Sequence, residues 1–126
     1  MKHGPYSPFA KAGNLTFISG QVGINSNTKQ CAKQIEAQTI QALKNLEGVL
    51  ANASLKLDNV VKITVFLADM NDFGKMNLVY EKFFNQITSK PARSTVAVKE
   101  LPKLSDKPLL IEIEAVAYKK QGESDA

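Results

Sequence analysis

Apolar positions along the chain follow two periods, and the changes between them mark out its elements. Residues 14–24 (NLTFISGQVGI) are rich in β-branched and aromatic side chains and are interrupted by Gly20 and Gly23. This predicts a strand, a glycine-marked break and a short continuation. The cluster from Asn25 to Lys29 predicts a turn. Over residues 32–53, Ile35, Thr39, Ala42, Leu43, Leu46, Val49, Leu50 and Ala53 return every three or four positions, the period of a helix. Gly48 inside that pattern costs about 1 kcal/mol against alanine and suggests a close approach to a sheet.

Residues 60–68 (VVKITVFLA) predict a strand with Val61, Ile63, Val65 and Leu67 on one face and Val60, Lys62, Thr64 and Phe66 on the other. Asn71 is the expected N-cap of a second helix reaching about Ile87, with Asp72 in its first turn. Phe73, Met76, Tyr80, Phe83, Phe84 and Ile87 form its stripe and read as core, and Pro91 stops it. Strands follow at 93–98 and 109–118, joined by the proline-bearing loop LPKLSDKP. The order is strand, helix, strand, helix, strand, strand. It predicts an α+β fold with one sheet and both helices on one face. A chain of 126 residues has the length of one domain, taken as 1–126, with residues 120–126 a tail that lacks core side chains and should fray.

Alternation then assigns the faces of the sheet. Leu109, Ile111, Ile113, Ala115 and Ala117 suit the helices, leaving Leu110, Glu112, Glu114, Val116 and Tyr118 opposite. In 93–98, Ser94, Val96 and Val98 suit the core, which would turn Arg93, Thr95 and Ala97 to the second face. That face mixes two carboxylates and an arginine with Phe66, Leu110 and Val116. It is either a wet face with weakly paired charges or one covered by another copy of the chain.

Composition narrows the chemistry. Hydrophobic residues make up 44% and charged residues 22%, which fits a globular domain. With one cysteine, Cys31, there is no intrachain disulfide, and a reducing compartment fits. With one histidine, a Cys/His zinc site and a Ser-His-Asp or Cys-His nucleophile are poor readings. The start, MKHGPYSPFA, has no apolar signal core and no stretch spans a membrane, so the expectation is a soluble cytoplasmic protein. The net charge of +4 comes from scattered lysines without a basic stripe, which argues against nucleic acid as a partner. Arg93 is the only arginine among sixteen basic residues. Its planar fork matches a carboxylate, whether Glu112 or Glu114 within the protein or an anionic ligand.

SKPARSTVAVKELP followed by IEIEAVA resembles the signature of the RidA (YjgF) family. GPYSPF resembles the family's N-terminal Gly-Pro-Tyr element and FISGQVGIN its Ser-Gly-Gln segment. VVKITVFLADMNDFGKMNLVYEKFF resembles its central strand and helix. The resemblance runs in order over nearly the whole chain.

It implies a chorismate-mutase-like (ferredoxin-like) fold, assembled as a homotrimer whose sheets pack into a barrel with active sites between subunits. It further implies hydrolytic deamination of reactive 2-enamino and 2-imino acids such as 2-aminoacrylate and 2-iminobutyrate, giving a 2-keto acid and ammonia without metal or organic cofactor. The family's catalytic arginine falls on Arg93, its substrate-facing tyrosine on Tyr6 and the first acid of its Glu-x-Glu pair on Glu112. Its cleft Ser-Gly pair falls on Ser19 and Gly20, and its helix asparagine on Asn77. Thr95 stands where many members carry cysteine, and the loop 103–108 is longer than in familiar bacterial members.

This set suits the chemistry. Arg93 can clamp the carboxylate of an imino acid, and Glu112 can move protons for water and for the departing amine. Other activities associated with the family are endoribonuclease or translation inhibition. A trimer that binds ligands or acts as a chaperone without turnover is a third reading.

Overall fold

The computed structural model describes residues 4–120. The expected frayed tail lies almost wholly outside them. Five strands form one mixed sheet: β1 (Phe9–Ala12), β2 (Leu15–Val22), β3 (Val60–Leu67), β4 (Ala92–Ala97) and β5 (Ile111–Tyr118). The helices are α1 (Ile35–Asn52) and α2 (Phe73–Phe83). The spatial order is β1-β2-β5-β3-β4, and only the β3–β4 pair is parallel. The α+β class, single mixed sheet and two helices match the sequence expectation. β1 is an addition, because four residues of FAKA carry too little pattern to register alone and become a strand by pairing with β2.

Both helices lie on one face of the sheet. Leu43, Leu46 and Leu50 of α1 and Met76 of α2 pack with Ile63, Val65 and Leu67 of β3 and Ile111 and Ile113 of β5. All of these are fully buried, which is the main source of stability by removal of apolar area from water. Gln38 of α1, also fully buried, ties the layers together. Its Nε2 donates to Ala32 O at 2.8 Å and Pro108 O at 3.0 Å, and its Oε1 accepts from Leu110 N at 2.8 Å. A buried amide with its groups paired in this way pins both chain segments that flank it.

Several local expectations give way to tertiary packing. A register shift between Val60 and Lys62 buries Val60 and leaves Val61 exposed, the reverse of simple alternation. Asn71 is not an N-cap. Asp69 instead caps a single 3₁₀ turn, accepting from Asn71 N at 2.9 Å, and α2 begins behind it. Leu109 leaves the main core and joins Ile24 and Cys31 in a small cluster beneath the 101–108 loop, while Leu110 packs on the main core. There, burial pushes the Cys31 thiol above its ordinary range.

Gly48 does not approach the sheet: a Cβ there would meet nothing within 4 Å. The close approach belongs to Gly23, where a Cβ would fall 2.8 Å from Gln38 Cα. Gly48→Ala is therefore expected to stabilise the protein by about 0.5–1 kcal/mol, seen as a rise of a few degrees in Tm.

The second face is open and apolar in part. Leu15, Phe17, Val96 and Tyr118 are 37%, 47%, 43% and 43% exposed, and Phe66 and Val116 are half-buried among them. Leu15 pairs with Tyr118, Phe17 with Val116 and Phe66 with Val96, so these side chains form adjoining rows.

Candidate active site

β1 begins at Phe9 opposite Ile18, so the part of β2 beyond Ile18 runs on without its edge partner. Here the strand bulges, with a register shift between Ile18 and Gln21 that contains Ser19 and Gly20. The bulge opens a groove of about 760 Å³ lined by Tyr6, Ser19, Gly20, Val22, Asn45 and Glu112, among others. Asn45 of α1 donates through Nδ2 to the carbonyls of Val22 and Ile24 at 2.9 Å each, fixing the groove floor to the helix.

Tyr6, Ser19, Gly20 and Glu112, four of the predicted residues, each have a definable place in this groove. Ser19 Oγ donates to Ser7 O at 2.7 Å, and its backbone N donates to Pro8 O at 3.0 Å. Those two bonds fasten the N-terminal segment that carries Tyr6, whose side chain is 44% exposed at the mouth. Glu112 lies over Gly20. A Cβ on that glycine would meet the Glu112 carboxyl carbon at 2.6 Å and Cγ at 2.9 Å, so only glycine leaves the carboxylate its position. Burial first, and the neighbouring Glu114 charge second, raise the Glu112 carboxyl above the ordinary glutamate range. A carboxyl tuned in that direction is suited to taking up and returning a proton.

The folded state holds the Glu112 proton more tightly than the unfolded state, so its contribution is greatest below about pH 4.5 and is lost as pH rises through the folded value. Glutamine imitates the protonated form. Glu112→Gln is expected to melt above the parent at pH 7, with the gap closing as the pH is lowered towards 4.5, in parallel thermal scans.

The other three predicted residues lie elsewhere. Arg93 pairs with Ile63 and Thr95 with Val65, so both share the helix-covered face, not the second face. Ser94 and Val96 take the outer side, beside Thr64 and Phe66. The assignment of Arg93 and Thr95 by alternation is thus inverted. RSTVAV alternates weakly, and placing Val96 inward is the natural reading of it. In the fold, β4 is an edge strand whose parallel register with β3 decides the matter, and α2 offers the arginine an aromatic bed.

Arg93 Cζ sits 4.6 Å from the centre of the Tyr80 ring and 5.6 Å from that of Phe73. Among the described residues its guanidinium makes no ion pair and no hydrogen bond. Asn77 lies between those rings in the sequence of α2, four residues after Phe73 and three before Tyr80, a spacing that puts it on the same side of the helix as both. Its Nδ2 donates to Glu81 Oε1 at 3.0 Å. Thr95 Oγ1 and the Tyr80 hydroxyl are both buried without a hydrogen-bond partner.

The protein therefore carries two groups of these residues. Tyr6, Ser19, Gly20 and Glu112 gather at the β2 bulge, whereas Arg93 and Thr95 share one face of the edge strand β4, with Asn77 on the helix whose Phe73 and Tyr80 meet Arg93. Within one chain, Arg93 and Glu112 are on opposite faces of the sheet. Sequence reasoning missed Phe73 and Tyr80 as parts of the second cluster, because an aromatic stripe on an amphipathic helix reads as core. Phe73, at 37% exposed, is not core. Among the described residues, no group of three or more His, Cys, Asp or Glu is arranged to hold a metal ion, and no helix is long and apolar enough to cross a membrane.

A single mixed sheet backed on one face by two helices is the architecture of a class of small α+β proteins. The chain belongs to the RidA (YjgF) family: the family model described as Endoribonuclease L-PSP matches residues 1–119. It is 50% identical over 117 residues to a RutC family protein of Pyrococcus horikoshii, covering 92% of this chain and 88% of that one. It is 40% identical over 118 residues to the 2-iminobutanoate/2-iminopropanoate deaminase of Escherichia coli, covering 93% and 89%. Among solved structures, it is similar to Escherichia coli TdcF with bound serine, with a TM-score of 0.86 and 35% identity over 94% of this chain and 91% of that one.

Proposed function

We propose that this protein is a hydrolytic deaminase of reactive 2-imino and 2-enamino acids, of the 2-iminobutyrate and 2-aminoacrylate type, acting as a homotrimer. The observation that carries the reading is Arg93: a half-buried guanidinium held on two aromatic rings, without a carboxylate of its own among the described residues. A fork left open in this way suits the carboxylate of a small acid. The name of the Escherichia coli relative and the serine bound in TdcF support the same class of ligand.

In this mechanism Arg93 binds the substrate carboxylate. An enamine first takes a proton at its β carbon and becomes the iminium, whose carbon is electrophilic. Glu112 removes a proton from water as the water oxygen bonds to that carbon, giving a neutral carbinolamine. The proton returns from Glu112 to nitrogen, and the C–N bond breaks. The hydroxyl proton passes to Glu112 as the carbonyl forms, and the departing ammonia carries it away as ammonium. Tyr6 closes the pocket and donates a hydrogen bond. Thr95 and Asn77 flank the clamp, and Gly20 makes room for the carboxylate.

Because Arg93 and Glu112 lie on opposite faces of one chain, the reading requires Glu112 of one copy to meet Arg93 of the next. The exposed rows around Leu15, Phe17, Val96 and Tyr118 supply an apolar face for that packing. Light scattering at micromolar concentration is expected to give three copies of the 13.8 kDa chain, and a monomer mass would reject the assembly. Activity is tested by ammonia release from freshly generated 2-aminoacrylate. Release above the uncatalysed rate is expected. Its absence, together with cleavage of added RNA, would favour the ribonuclease reading, and absence of both a binding role.

A further inference from the structure

We propose that Tyr80 is a positioning residue for the Arg93 clamp, its ring face fixing the plane in which the guanidinium is offered to a ligand carboxylate. The inference rests on the proposed function for the identity of the ligand, but its geometry does not.

Arg93 stands on an edge strand, and its side chain has four rotatable bonds to restrain. Among the described residues its guanidinium has no hydrogen bond or ion pair to restrain them. What it has is the Tyr80 ring at 4.6 Å, with the Phe73 ring further off at 5.6 Å. Phe73 is 37% exposed and can turn aside, whereas Tyr80 is 8% exposed. The Tyr80 ring is itself held. It packs on Phe84 with centroids 4.6 Å apart, and Phe84, 1% exposed, packs edge-on against Phe83 at 5.8 Å. A line of contacts therefore runs from the core through Tyr80 to the guanidinium. Stacking of this kind leaves the outward edge of the fork free for a carboxylate.

The Tyr80 hydroxyl is buried and has no partner, so what the residue supplies here is a ring face rather than a hydrogen bond. This separates two substitutions. Tyr80→Phe keeps the face and removes an unsatisfied polar atom, a change that leaves a fold unharmed. Tyr80→Leu keeps apolar bulk but removes the face.

As the only arginine, Arg93 gives a single guanidinium Nε–Hε signal in a ¹⁵N–¹H spectrum, assigned without ambiguity. In the parent this proton is expected upfield of its position in free arginine, because the guanidinium carbon lies over a ring. The displacement should persist in Tyr80→Phe and collapse in Tyr80→Leu. Calorimetric binding of 2-ketobutyrate, which involves no turnover, should weaken about tenfold in Tyr80→Leu and change little in Tyr80→Phe. In steady-state assays KM should rise more than kcat falls.

An unmoved Arg93 signal in folded Tyr80→Leu, or equal losses in both variants, would overturn the platform. If Tyr80→Leu does not fold, the parent spectrum still decides, since a signal at the free-arginine position refutes the stacking. Failure of the parent to bind 2-ketobutyrate or to deaminate would count against the proposed function, while the spectrum continues to judge Tyr80.

Discussion

Arg93→Lys is expected to lower kcat/KM on 2-iminobutyrate by at least about tenfold, and Arg93→Ala by more, with mass in solution and Tm nearly unchanged. The protein uses lysine for its other fifteen basic side chains, so a need for positive charge alone would be met by the substitution. The surroundings of Arg93 reward the guanidinium specifically. A flat delocalised cation stacks on Tyr80 and presents two parallel N–H donors, whereas an ammonium offers a point charge on a flexible stem. Loss of one side of a desolvated charge pair costs about 2–5 kcal/mol, and lysine should forfeit a substantial part of it. Each 1.4 kcal/mol is about tenfold in rate. The measurement is kcat/KM beside a melting curve for each variant. Parent-like activity in Arg93→Lys would remove the clamp, and a fall in mass in solution or in Tm would make Arg93 structural.

Gly20→Ala should be nearly as damaging by a different route. The added methyl would occupy the place of the Glu112 carboxyl, which a Cβ approaches to 2.6 Å at its carbon. Glu112 is a flexible side chain, so the carboxylate is expected to swing aside while the strand stays in place. Displacement of a catalytic group by about 1 Å can lower the rate about 10²-fold, and kcat is expected to fall by that order. Binding of 2-ketobutyrate, which depends on Arg93, should fall much less. Equal turnover in Gly20→Ala would show that the position of Glu112 is immaterial and move proton transfer to another group.

These two predictions concern residues that the sequence analysis had singled out, but their arrangement was legible only in part. Arg93 stood out by being alone of its kind, and Tyr6, Ser19, Gly20, Glu112 and Asn77 through motifs shared with the RidA family. The placement of Glu112 over Gly20 follows from the β2 bulge, which a glycine inside a strand pattern hints at without locating. The aromatic bed of Arg93 was hidden, because Phe73 and Tyr80 satisfy the helical stripe equally well as core residues.

By itself the sequence determined the class of fold, its two helices and the strands with strong period. Ile111, Ile113, Ala115 and Ala117 alternate so regularly that no other face could be buried, and Leu43, Leu46 and Leu50 define one side of α1. It also determined the family, since ordered motifs survive where geometry is unknown. Tertiary structure decided what short or weakly patterned segments do. β1 exists because β2 is beside it. Val60 is buried because β3 bulges. Arg93 and Thr95 face the helices because β4 takes its parallel register from β3. In each case the local energy difference between the two faces is small, and neighbouring backbone hydrogen bonds, set by residues distant in sequence, select between them.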